Sequence, residues 1–137
     1  MATIVRFEDI QAWGKARTLV RELYRITEEG VFAKDYALPE QLRRAGISIM
    51  SNIAEGFARR TSKEFRNLLN VAHGSAAEAQ AQLYIALDLG YISEKQFSTL
   101  YKQAEEVSKM TRGFMDHLKE AGSRNVPVNS QLSTHNS

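Results

Sequence analysis

The chain has 137 residues, the size of one domain around one core, and its 18 Lys and Arg against 16 Asp and Glu leave a formal charge of +2. With both signs abundant, this composition describes an ordinary soluble protein and does not by itself demand nucleic acid. There is no cysteine, which excludes disulfides, thiolate nucleophiles, Cys-ligated zinc and iron–sulfur clusters.

The opening MATIVRFEDIQAW lacks the apolar stretch of a secretory signal, and no run approaches the ~18 apolar residues of a membrane span. A cytoplasmic protein without a membrane partner is the expectation. After Phe7, the residues Ile10, Trp13, Ala16, Val20, Leu23, Tyr24 and Thr27 recur at steps of three and four, predicting a helix with one face on a core. Glu8 and Asp9 suit its positive N-terminal end, and Gly30 suits its stop. Arg17, Arg21 and Arg25 repeat every four residues, roughly 110° from the centre of that stripe, and form a basic ridge at its border. The ridge is either a binding surface or a solvated flank paired with Glu22, Glu28 or a neighbouring helix.

Val31 to Leu38 breaks the pattern, and Pro39 followed by Glu40 starts a second helix, because proline needs no amide partner in a first turn. On this helix, which runs to about Ala58, Leu42, Ala45, Gly46, Ile49, Ile53, Gly56 and Phe57 share one face. Ile47, Met50, Ala54 and Ala58 widen the apolar arc beyond a single stripe, which calls for packing on two sides. Each interior glycine costs roughly 1 kcal/mol relative to alanine, so a close approach is expected at Gly46, while Gly56 either does the same or ends the helix. Arg44 and Glu55 are eleven positions apart, roughly 16 Å along the axis, and cannot pair with each other; partners from another element are expected. Asn52, at the border of the arc, is expected to bond a buried group rather than a ligand.

Thr61-Ser62-Lys63-Glu64 is a T-x-x-E capping box opening a third helix, from about Ser62 to Leu89, whose core face is Phe65, Leu68, Leu69, Ala72, Ala76, Ala79, Leu83 and Leu87. No Lys or Arg occurs between Asn67 and Ser93, so this helix is expected to be covered on most sides, with Gly74, Ala77 and Ala81 on an outer face that a second surface approaches. Gly90 supplies the left-handed stop. Ser93 to Gln96 repeats the capping logic, and Phe97, Leu100, Ala104, Val107, Thr111, Phe114 and Leu118 make a bundle seam that ends at Gly122. These elements predict an all-α, antiparallel, up-down-up-down four-helix bundle over residues 1–122, followed by a disordered polar tail over residues 123–137.

The blocks FEDIQAWGKA, LPEQLRRAGISIMSNIAEGFARRTSKEFRNLLNVAHGS and LDLGYIS carry a resemblance. In that order, QLRRA, NIAEG and the R-x-S-x-x-EF segment of Arg60, Ser62, Glu64 and Phe65 resemble the 23S rRNA intervening-sequence protein family, also called the four-helix-bundle protein family. The resemblance spans about Ile4 to Ala121 and implies a small bacterial bundle assembled as a ring-like homo-oligomer, a pentamer. A similar fold serves as the accessory protein of diversity-generating retroelements, which implies nucleic acid and a reverse transcriptase, or another protein, as partners. The sequence departs from the family pattern at Ala76 to Gln82.

Enzymatic chemistry is not expected. His73 and Glu78 lie about 140° apart on their helix and cannot chelate one ion from one face, and neither a G-x-S-x-G elbow nor a phosphate loop is present, so no metal or cofactor is expected. The plainer assignment for His73 and Ser75 is hydrogen bonding at a helix border. Residues 40–66 hold six cations and three acids, +3 against −1 for the rest of the chain. Two functions follow. In one, an oligomer binds structured RNA or an RNA/DNA hybrid mainly through phosphates, using Arg17, Arg21, Arg25, Arg43, Arg59, Arg60, Lys63 and Arg66. In the other, the protein is an interaction scaffold whose arginines are used between subunits. In both, Arg44, Ile47, Met50, Asn52, Ala54, Glu55, Gly74, Ala77 and Ala81 are assigned to structure or to a subunit interface.

Overall fold

The structure, a computed structural model, describes residues 4–122. The tail expected over residues 123–137 lies outside the described residues. Helices α1 (Gln11–Thr27), α2 (Leu38–Phe57), α3 (Ser62–Asp88) and α4 (Glu94–Gly122) are joined by short connections, and no strand occurs among the described residues. Single 3-10 turns at Phe7–Asp9 and Phe32–Lys34 precede α1 and α2. Each helix packs on the next, and α4 closes the bundle against α1. This is the expected four-helix bundle.

The helix boundaries have local causes. Pro39 sits in the first turn of α2. Thr61 Oγ1 accepts from the Glu64 amide at 3.1 Å to start α3. At α4 the Ser93 amide donates to Gln96 Oε1 at 2.9 Å while the Gln96 amide donates to Ser93 Oγ at 3.0 Å, a reciprocal box. Gly90, at φ +74°, ends α3 in the left-handed region, which only glycine occupies without cost.

The core is one layer of fully buried side chains, among them Leu19 and Leu23 of α1, Leu42, Ile49 and Ile53 of α2, Phe65, Leu69 and Leu83 of α3, and Leu118 of α4. Each contributes about 1.5–3 kcal/mol by leaving water. Two glycines make α2 fit. A β-carbon on Gly46 would meet Leu23 Cδ1 at 3.0 Å and Val20 Cγ2 at 3.1 Å, and one on Gly56 would meet Phe65 Cδ1 at 2.6 Å. Gly56 therefore seats α3 and is not a terminator.

The stripe expected on α1 is displaced. Its buried residues are Ala12, Ala16, Leu19, Leu23, Ile26 and Thr27, whereas Trp13, Val20 and Tyr24 are half-buried. The core-facing centre is turned by roughly 70°, at ~100° per residue, toward the side where Lys15 pairs with Glu106 of α4 at 2.9 Å. The cause is that α1 sits in the seam between α2 and α4, so the small residues Ala12 and Ala16 and not Trp13 define the closest approach.

Candidate nucleic-acid interface

The turn between α2 and α3 carries the strongest concentration of exposed cations. Arg59, Arg60 and Lys63 are all solvent-exposed there. The Arg59 amide donates to the Gly56 carbonyl at 3.1 Å and the Phe65 amide to the Thr61 carbonyl at 3.1 Å, so the turn is tied at both ends. Arg59 pairs with Glu55 one helical turn back, a contact that holds its guanidinium more firmly protonated. Both partners are about half exposed, and pairs of that kind yield readily to a phosphate. Among the described residues, Arg60 and Lys63 form no ion pair. They stand beside the first turn of α3, whose amides add a positive partial charge.

The eight cations assigned to nucleic acid do not form one patch. Gly46 lies against Val20 and Leu23, which places Arg17 and Arg21 beside the middle of α2, about 15 Å along the axis from the turn. Arg17 and Arg21 are exposed, and Arg17 lies over Trp13 at 5.9 Å. Arg25 is exposed but paired with Glu22 at 3.0 Å, the solvated-flank alternative. Arg43 is a correction: it faces α1, where its Nε donates to Thr27 Oγ1 at 2.8 Å and its guanidinium covers the Tyr24 ring at 4.4 Å. Thr27 is buried, its hydroxyl donates to the Leu23 carbonyl at 2.7 Å, and its oxygen accepts from Arg43, so Arg43 is a packing residue. Arg66 is likewise half-buried, with its Nε shielded from solvent and without a hydrogen-bond partner among the described residues.

The residues assigned to structure or interface also divide. Arg44 pairs with Glu40 at 3.0 Å and Glu55 with Arg59, each four residues away on the same helical path. The expectation that they need another element is thus overturned, because i,i+4 partners were within reach. Met50 packs against the core and does not present an outer face. Asn52 donates to the Ser48 carbonyl at 2.8 Å and to Ser48 Oγ at 3.1 Å, and Ser48 Oγ meets Ser75 Oγ of α3 at 2.7 Å. Ala54 is half-buried, while Ile47, Gly74, Ala77 and Ala81 are exposed. With Val71 and Ile85, also about half exposed, they leave an outer face on α2 and α3, apolar but for the exposed Glu78, that no part of the described chain covers.

Two polar clusters join elements across the bundle; hydrogen bonding by His73 is the expected one, and the contact between Tyr91 and Asp35 was not foreseen. His73 Nδ1 meets Ser108 Oγ of α4 at 2.9 Å, with Arg112 Nη2 at 3.5 Å from its Nε2. Tyr91 Oη donates to Asp35 Oδ2 at 2.7 Å and its ring stacks on Phe32 at 4.9 Å, joining the α1–α2 and α3–α4 connections. Asp35 Oδ1 also accepts from the amides of Ala37 and Leu38. An acid three residues ahead of a helix start is the one local sign of this arrangement. Among the described residues, no group of three or more His, Asp or Glu is placed to hold a metal, and no helix is long and apolar enough to cross a membrane.

Residues 8–113 match the family described as 23S rRNA-intervening sequence protein. The chain belongs to that family. The span matched to the intervening-sequence family runs from the turn before α1 into α4 and includes all the candidate residues above. Among solved structures the chain is similar to a protein of unknown function from the S23 ribosomal protein family of Bacteroides thetaiotaomicron. That likeness has a TM-score of 0.70 and 22% identity, covering 76% of this chain and 97% of the other. It shows the bundle fold alone. No curated protein matches.

Proposed function

We propose that this intervening-sequence family member is a non-enzymatic homo-oligomer that associates with nucleic acid, structured RNA or an RNA/DNA hybrid, through a basic surface centred on the α2–α3 turn. The observation that carries this reading is that Arg60 and Lys63 are exposed, free of ion pairs among the described residues, and next to the N-terminus of α3. Arg59 and the more distant Arg17 and Arg21 add charge to it. Arg43 is withdrawn from it because its guanidinium is engaged with Thr27 and Tyr24, and Arg66 is set aside because it is half-buried with its Nε shielded from solvent.

Oligomerisation makes the charge sufficient. One turn touches few phosphates, but symmetry repeats the turn, and each further engagement of one nucleic acid is effectively intramolecular. The open face of Ile47, Val71, Gly74, Ala77, Ala81 and Ile85 is the surface we assign to the subunit contact, and a pentamer is the number implied by the family resemblance. A cytoplasmic location fits this role. Arg44 and Glu55 already have partners within α2 and its extension, which disfavours the scaffold reading in which the arginines are used up between subunits.

The test is titration of a labelled RNA hairpin with the full chain at low and at moderate salt. Binding that is present at low salt and falls steeply with salt supports the proposal, and no binding at low salt rejects it.

A further inference from the structure

We propose that the end of the bundle opposite the basic turn, formed by the α1–α2 and α3–α4 connections, is a docking surface for an arginine- or lysine-rich protein segment, with Tyr36, Val31 and Leu89 as its apolar contacts. This inference stands apart from the nucleic-acid reading and uses none of its residues.

Tyr36 is 97% exposed, Val31 68% and Leu89 55%. A large aromatic left so fully in water is ordinarily mobile, but this one sits in an ordered place. Its neighbour Asp35 is bound to the Ala37 and Leu38 amides on one side and to Tyr91 Oη at 2.7 Å on the other. Tyr91 stacks on Phe32, the residue after Val31, and lies two positions past Leu89. The Tyr91–Asp35–Phe32 contact therefore joins the two connections that carry these exposed apolar residues, from two distant parts of the chain, at one end of the bundle. Gly90 at φ +74° and the bond from the Tyr91 amide to the Ala86 carbonyl at 2.9 Å hold the second connection. The backbone that carries Tyr36 is set before binding, so covering the ring costs the ordering of one side chain and not of a loop, and tyrosine is among the residues most enriched at such contacts.

The charge around these anchors selects the partner. Residues 28–40 and 88–95 contain six acids, Glu28, Glu29, Asp35, Glu40, Asp88 and Glu94, against Lys34 and Lys95. Asp35 is held by Tyr91 and Glu40 by Arg44, but among the described residues Glu28, Glu29, Asp88 and Glu94 form no ion pair, and all four are exposed. Three of them are misplaced for stability. Glu28 and Glu29 follow α1 directly and Asp88 is the last residue of α3, so they stand at helix C-termini, whose carbonyls already carry negative partial charge. Carboxylates there weaken the fold and strengthen the negative field at this end. A segment with arginines pairs with these acids and stacks its guanidiniums on tyrosine; a phosphate backbone is repelled.

The experiment is selection of dodecapeptides from a random displayed library on the immobilised full-length protein, followed by anisotropy titration of the enriched peptides. The expected result is enrichment of peptides carrying Arg or Lys beside apolar residues. Their Kd should rise at least tenfold for Tyr36→Ser combined with Leu89→Ser, and also for Glu28→Gln, Glu29→Gln and Asp88→Asn together. It should stay unchanged for Arg60→Ala with Lys63→Ala. All the mutated side chains are exposed, so helicity stays constant, and RNA binding should be indifferent to the Tyr36 and Leu89 changes. The proposal is overturned if nothing is enriched, if the enriched peptides lack basic residues, or if they bind the Tyr36→Ser, Leu89→Ser variant undiminished. A fall in the protein's own oligomeric mass in that variant also overturns it, because the occupant is then a second copy of this chain.

Discussion

Phe65 of α3 occupies the space that the missing side chain of Gly56 leaves on α2, with Phe65 Cδ1 2.6 Å from where a β-carbon would stand. Phe65 is fully buried and touches Phe57 and Phe114 at ring separations of 6.3 and 5.3 Å, so it has no free direction in which to retreat. Gly56→Ala should therefore destabilise the bundle. Overpacking costs about 1–3 kcal/mol, against a helix-propensity gain of about 1 kcal/mol. Urea unfolding monitored by helicity measures the difference; equal or greater stability in the variant would mean that the α2–α3 hairpin is looser than this close approach implies.

Arg43 gives the same kind of test for a residue that sequence pattern assigned to binding. Arg43→Ala should lower stability by about 1–2 kcal/mol, because it removes the bond from Arg43 Nε to Thr27 Oγ1 and uncovers Tyr24, although the Thr27 hydroxyl keeps its own bond to the Leu23 carbonyl. Arg43→Lys should recover little, since an ammonium cannot combine the Nε bond with a flat stack on the ring. RNA affinity of the folded Arg43→Ala variant should match that of the parent within about a factor of two, measured by anisotropy at low salt, because the guanidinium is turned into the α1–α2 seam and away from any phosphate.

The Tyr91–Asp35 bond makes stability depend on pH in two windows. The Leu38 amide first, and the Tyr91 hydroxyl second, hold the Asp35 carboxyl below the usual carboxylate range. Folding then favours the ionised form, a contribution complete above about pH 4 and lost as pH falls through the lower folded value. The same bond pushes the Tyr91 hydroxyl up. That contribution is complete below about pH 10 and lost as pH rises through the folded value. Tyr91→Phe should abolish the alkaline loss and shrink the acid loss without removing it, because the backbone bonds to Asp35 remain. Urea midpoints recorded across about pH 2–5 and 9–11 for both proteins decide this.

Gly74 reports on the outer face. Nothing lies within 4 Å of where its β-carbon would be, so in a single chain Gly74→Ala should add about 1 kcal/mol of stability through helix propensity. If α3 meets a second subunit closely along Gly74, Ala77 and Ala81, the same change should weaken assembly. Ile85→Glu, at an exposed position of that face, should reduce the oligomeric mass seen by light scattering while leaving helicity intact. A monomeric mass for the unmodified protein would rule out the subunit contact.

What was legible in the sequence was local. Ser93 with Gln96, Pro39, Gly46 and Gly90 each act within a turn or on an adjacent helix, and the structure uses them as expected, while of the box expected at Thr61 and Glu64 it shows the bond from the Glu64 amide to Thr61 Oγ1. Register around a helix was less legible: the α1 stripe counted Trp13 and Val20 as core because both are large and apolar, yet its centre is set by which small residues fit between α2 and α4. The direction of a long side chain was least legible. Arg43 and Arg59 read alike in a charge count, but one faces the α1 seam and the other the solvent. Tyr91 and Asp35 are 56 positions apart, and no periodicity links them.

Whether phosphates are held at the α2–α3 turn is decided by the slope of log affinity against log salt for an RNA hairpin. It should be measured for the full chain and for its Arg60→Ala, Lys63→Ala form, both shown to have the same helicity and oligomeric mass. Binding should be weaker and the slope shallower for the double variant, by about 0.7–0.9 for each phosphate no longer neutralised and multiplied by the number of turns engaged. An unchanged slope would place the nucleic acid elsewhere on the molecule and contradict phosphate binding at this turn.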